Sequence, residues 1–168
     1  MDSEINRQPK IRNMRILLGL LTLLITNELY GQKIATSFQD AVDNKGISIE
    51  KLDENYKSAL HSDSTKAAFK GQEKQFTDGY ISLLTDLSTF LKKNNFSWGK
   101  QTRCFNKIYI NKNGQVDYFL FNFKEGEIDK EKEGEFKRLL NIFIQIYEFP
   151  LKNTVDFAQC SPVKYSDL

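Results

Sequence analysis

The sequence has one histidine, two cysteines, three prolines and one tryptophan in 168 residues, and these shortages exclude several chemistries at the outset. His61 sits in a turn-like HSDS stretch with no Cys, His or Asp-rich cluster beside it, so neither a zinc site nor a Ser–His–Asp triad has its usual parts. The nine glycines are scattered and form neither GxGxxG nor GxxxxGK, so no phosphate-cradling loop is expected. No sign of charge dominates: 24 basic residues face 22 acidic ones, which gives no field to attract nucleic acid or an anionic membrane surface. No repeat, low-complexity tract or linker interrupts the chain. Neither a cofactor nor a metal is expected.

The N-terminus is the strongest signal present. Met14 and Arg15 precede the apolar run from Ile16 to Ile25, broken only by Gly19 and Thr22, and a polar TNELYGQ follows. A cationic start, a short apolar middle and a small residue at the end form the layout of a secretory signal peptide, and the run is short for a bilayer span. Cleavage after Gly31 would leave Gln32 first. An anchor formed by residues 16–30 is the alternative, because Leu29 stands where a small residue is usual. Residues 1–13 are a long preamble, so Met14 is a second possible start. Loss of residues 1–31 leaves 20 basic and 19 acidic residues. The expected location is the periplasm or the exterior, with membrane contact only through the N-terminal segment if it is retained.

Export changes the reading of the cysteines, since an even count outside the cytosol favours pairing. Cys104 opens one predicted strand and Cys160 lies late in another. If those strands run antiparallel side by side, the start of one meets the end of the other, and a Cys104–Cys160 disulfide worth about 4 kcal/mol is expected. Two buried free thiols are the alternative.

Three regions follow: the signal segment 1–31, an N-terminal helical region 32–73 and an α+β domain 74–168. In the second region a pattern around Ala35–Asn44 stops before Gly46. A better one starts at Ser48, a plausible N-cap, with Ile47 and Leu52 placed as a hydrophobic staple and Ile49, Leu52, Tyr56, Ala59 and Leu60 on one face. Phe76, Tyr80, Leu83, Leu84, Leu87, Phe90 and Leu91 then recur at helical spacing, with Asn94-Asn95 as the stop and Phe69 a possible upstream extension.

Asn113-Gly114 joins two runs rich in β-branched and aromatic residues and marks a hairpin. A two-residue loop puts Ile108 and Ile110 on one face with Phe119, Phe121 and Phe123; a three-residue loop puts them with Val116, Tyr118 and Leu120. Both faces are apolar in either register, so helices should cover one and the N-terminal helices or a partner the other. Lys124–Glu135 is a charge run with alternating signs, read as a solvated loop entering a helix. That helix carries Phe136, Leu139, Leu140, Phe143, Ile146 and Tyr147 on its buried face and ends before Pro150. A last strand covers Thr154–Tyr165. The fold class is α+β: a small three-stranded antiparallel sheet in the order strand, strand, helix, strand, preceded by N-terminal helices.

Phe76–Trp98, FTDGYISLLTDLSTFLKKNNFSW, resembles the helix that opens TonB C-terminal domains, typically F-x-G-G followed by a leucine stripe. Ile110–Val116 is similar to the V-x-x-x-G-x-V hairpin of that family, and a helix and last strand follow in the same order, so the resemblance covers about residues 76–165. It implies the fold above and binding by a sheet edge. It does not extend to energy transduction, because the full membrane anchor and proline-rich spacer are missing and Tyr147-Glu148-Phe149-Pro150-Leu151 replaces the usual tryptophan-proline signature. The expected function is a non-catalytic exported binding or structural module of the cell envelope that contacts a protein or peptide partner. A small secreted hydrolase with an unrecognised site is the alternative. The partner surface is expected among Phe105, Tyr109, Tyr118, Phe119, Phe121 and Phe123, which exceed what one face of a small sheet needs; burial by the N-terminal helices is the other reading of the same residues.

Overall fold

In chain order the elements are β1 (Ile34–Ser37), α1 (Phe38–Asp43), α2 (Ile49–Asn55), β2 (Lys57–Ser58), α3 (Glu73–Lys93), β3 (Thr102–Ile110), β4 (Val116–Phe123), α4 (Lys130–Ile146) and β5 (Phe157–Tyr165). The structure is a computed structural model and describes residues 33–167. β3 is the centre of the sheet, antiparallel to β4 on one side and β5 on the other. β1 adds in parallel outside β4 and β2 in parallel outside β5, giving the order β1-β4-β3-β5-β2.

The chain is therefore α+β with a five-stranded mixed sheet and not the three-stranded antiparallel sheet expected. The missing strands escaped the pattern for physical reasons. Ile34–Ser37 is four residues long and passes directly into α1, where Ser37 caps the helix by accepting from the Asp40 N–H at 3.2 Å. Lys57–Ser58 is shorter still and follows α2, where the spacing predicts a helical stripe continuing through Ala59 and Leu60. Tyr56, in extended conformation, ends that helix. Ser48 does cap α2, accepting from Lys51 N–H at 3.2 Å.

α3 and α4 cover one face of the sheet. Leu83, Leu87 and Leu91 of α3 and Phe136, Leu139, Leu140 and Ile144 of α4 pack on Ile108, Ile110, Phe119, Phe121 and Phe157. Asp129 caps α4 by accepting from Lys132 N–H at 2.7 Å, so the helix starts inside the charge run, five residues before Glu135. Phe69 joins this core from a turn and not from an extension of α3, because Gly71 with φ of 76° separates them. Two glycines have steric reasons. A Cβ at Gly79 would press on the Phe149 ring and Pro150 at 3.2 Å, and one at Gly114, with φ of 90°, would meet the Phe149 carbonyl at 2.7 Å.

The hairpin pairs Ile108 with Phe119 and Tyr109 with Tyr118, then shifts by one residue so that Ile110 meets Val116. The side chains thus follow the first of the two expected registers, with Ile108 on the face of Phe119, Phe121 and Phe123, while a bulge lets Val116 join them.

The expected disulfide is contradicted. β3 and β5 are antiparallel neighbours, but Cys104 is opposite Val163 and Cys160 is opposite Lys107. That offset of three residues is about 10 Å along the strands, and being odd it sends the two side chains to opposite faces. Both thiols are free, Cys104 buried and Cys160 exposed. No helix among the described residues is long and apolar enough to cross a membrane. The signal segment with its cleavage site, or the alternative anchor, lies outside the described residues.

Candidate partner-binding surface

The six aromatic residues singled out from the sequence do not form one surface. Phe119 and Phe121 are fully buried beneath α3 and α4, and Phe123 is half-buried on the same face against Trp98 and Phe136. Tyr109 is fully buried and Tyr118 half-buried on the opposite face, under α1 and α2. Only Phe105 is exposed, at 40%.

The second face is covered along part of its length, and helix length explains why. α1 has six residues and α2 seven, about 9 and 10 Å of helix, whereas β3 has nine residues spanning about 30 Å. The helices of the first face, of 21 and 17 residues, are about 31 and 26 Å long and match the strands. At the covered end, Tyr56 and Tyr109 meet edge to face at 5.2 Å. Tyr56 donates to Asp117 at 2.7 Å and Tyr109 to Asp53 at 3.0 Å; Lys107 pairs with Asp53 at 2.7 Å. Burial pushes both phenols well above their ordinary range and raises the Asp117 carboxyl. These groups tie α2 to the sheet.

The uncovered end is a groove of about 590 Å³ across β4, β3 and β5. Register builds it: Phe105 lies between Asn122 and Pro162, Arg103 lies opposite Lys164, and Lys124 follows the end of β4. The ring of Phe38 on α1 lies 5.9 Å from that of Phe105. The floor is apolar, the rim carries three cations, and no carboxylate lines it. Among the described residues Arg103, Lys124 and Lys164 form no ion pair.

Neither sheet edge is open in the same way. Asn141 of α4 accepts from the Ala35 N–H at 3.0 Å and donates to the Ala35 carbonyl at 2.7 Å, so the outward groups of β1 are already bonded. On β5 the Ala158 carbonyl accepts from Ala59 N–H at 2.8 Å, which fixes the outward positions at every second residue. The next outward carbonyl, of Cys160, accepts from the Gln159 side chain at 2.9 Å, and the one after belongs to Pro162, which has no N–H to offer.

Cys104 faces the helix layer, where its thiol donates to Asn106 Oδ1 at 3.3 Å and burial pushes it up to about 12. A thiol so placed is no nucleophile. Asn106 in turn donates to the Tyr165 hydroxyl at 2.6 Å, both buried. His61 is exposed and its Nδ1 accepts from Asp63 N–H at 2.9 Å, the geometry of a loop cap. Among the described residues no three His, Cys, Asp or Glu side chains gather as a metal site.

Of the residues lining this groove, the sequence reading names Phe105 as a candidate partner residue and does not name Arg103, Asn122, Lys124, Pro162 or Lys164. Their common signal was parity. Arg103, Phe105 and Lys107 alternate with Cys104, Asn106 and Ile108, but pairing that alternation with the last strand needed the register. No protein-family model matches the chain, and neither curated proteins nor solved structures give a significant match.

Proposed function

We propose that the protein is a non-catalytic binding module of the cell envelope that receives a segment of a protein partner on the open end of its sheet. The observation that carries this reading is the contrast in cover. Two long helices seal one face, while two short ones leave Phe105 exposed and an apolar floor bordered at its outer end by three cations that form no ion pair among the described residues. Docking on the face, in preference to adding a strand at an edge, is supported by the Asn141 clamp on β1 and by Pro162 on β5. The likeness of residues 76–165 to TonB C-terminal domains supports the order of elements in this reading and not the edge-binding mode.

Export rests on the Arg15 start and the short apolar run, and N-terminal sequencing of the native protein tests it. A chain beginning at Met1 and retained in the membrane would contradict it. For binding, a photo-crosslinking phenylalanine analogue replaces Phe105 in the full chain, with Ile81 of α3 and Ile146 of α4, both exposed, as controls. A discrete crosslinked protein at position 105 and none at the controls is the expected result. Equal crosslinking at all three positions, or turnover of a hydrolase substrate by the purified chain, would overturn the proposal.

A further inference from the structure

Resting on that reading, the geometry points to a partner segment that is acidic and carries one apolar side chain, the apolar group lying over Phe105 and Pro162 and the carboxylates on Arg103, Lys124 and Lys164. Three features select this chemistry. The rim is cationic in a protein with almost balanced charge, so the positive field is local to the groove. The cations lie in one row across the outer end of the floor, Arg103 on β3 opposite Lys164 on β5 with Lys124 just past the end of β4, and none is neutralised by a described side chain, so an incoming anion displaces no existing ion pair. The apolar floor at Phe105 and Pro162 is small, since these two residues are direct cross-strand neighbours, and it suits a single apolar side chain.

A peptide fits these features better than an anionic bilayer. A membrane needs a broad cationic plane, and here Glu125 and Glu127 stand directly after Lys124 in the adjoining loop, Glu127 accepting from the Arg103 N–H at 3.2 Å. Pro162 lacks the N–H that continuous strand pairing would use, so the segment lies across the strands, held by side chains.

The test uses the full chain and a fluorescent short peptide of aspartate and glutamate flanking one central phenylalanine. A matched peptide carries asparagine and glutamine instead. The acidic peptide should bind at least about tenfold more tightly at low salt, and raising ionic strength should erode that advantage. Lys124→Glu and Lys164→Glu should each weaken it by about tenfold, and Phe105→Ser should weaken both peptides. All three positions are exposed, and unchanged thermal unfolding of the variants confirms that the fold is retained. Equal binding of the two peptides, unaffected by charge reversal but lost in Phe105→Ser, would overturn the acidic partner while leaving the binding module standing. No peptide binding together with no crosslink at position 105 would overturn both. Lys124-dependent binding to phosphatidylglycerol vesicles without peptide binding would overturn the inference in favour of a membrane ligand.

Discussion

Along β3, Cys104, Asn106, Ile108 and Ile110 alternate with Arg103, Phe105, Lys107 and Tyr109, so a single strand samples both faces of the sheet. The first set is buried throughout its length. The second passes from fully buried Tyr109, through Lys107 paired to Asp53, to exposed Phe105 and Arg103. The strand is the same and the difference lies in the helices laid on it. A layer as long as the strands makes a core, and a layer a third as long makes a core at one end and a surface at the other.

That comparison can be broken most severely at Phe136, whose ring on α4 meets those of Phe96, Trp98, Phe121, Phe123 and Tyr165. Phe136→Ala should cost about 3–5 kcal/mol in chemical denaturation. Phe105→Ala, with its ring partly in water, should cost less than about 1 kcal/mol, and a loss equal to that of Phe136→Ala would mean that the second face is sealed as well.

Next in size is the polar row inside the sealed face. Tyr165→Phe removes the hydroxyl that accepts from Asn106 and leaves a buried amide donor unpaired. A loss of about 1–3 kcal/mol is expected by thermal or denaturant unfolding.

The smallest effect tests how β1 and α1 are held. Lys137 of α4 reaches Asp40 of α1 at 2.6 Å, and the Lys137, Thr36 and Asn44 hydrogen bonds hold the Asp40 carboxyl well below its ordinary 3.8. A depressed carboxylate stabilises the fold fully above its unfolded value and loses that contribution as pH falls through and below it. The pair is partly exposed, so Asp40→Asn should cost about 1 kcal/mol at neutral pH and progressively less below about pH 4, read from unfolding curves across pH. Asp117, raised mainly by burial, acts in the opposite sense: its contribution is complete below its ordinary value and is lost as pH rises through the raised one. The difference between Asp40→Asn and the unaltered chain isolates the first from the second.

Much of this architecture was legible in the sequence where a period or a turn residue carried the information. The leucine stripe of α3, the Asn113-Gly114 turn and the Ser48 cap each act over a few neighbouring residues, and they made a long helix, the central hairpin and the start of α2 legible. The edge strands were hidden because four residues of Ile34–Ser37 and two of Lys57–Ser58 are too few to show alternation. The disulfide failed on register, which no local residue sets: strand adjacency was right, and an offset of three residues separated the thiols. The candidate surface was hidden for the same reason, since Phe105, Asn122 and Pro162 meet only once both strand pairings are known.

The two cysteines give the most direct measurement of the unequal cover, because one lies on each face. A thiol reagent added to the native full chain, with modified peptides identified by mass, should label Cys160 rapidly and Cys104 only at the rate of unfolding, with denaturant exposing both. Equal labelling of the two thiols in the native protein, or no labelling of either until a reductant is added, would contradict the account of one sealed and one half-open face.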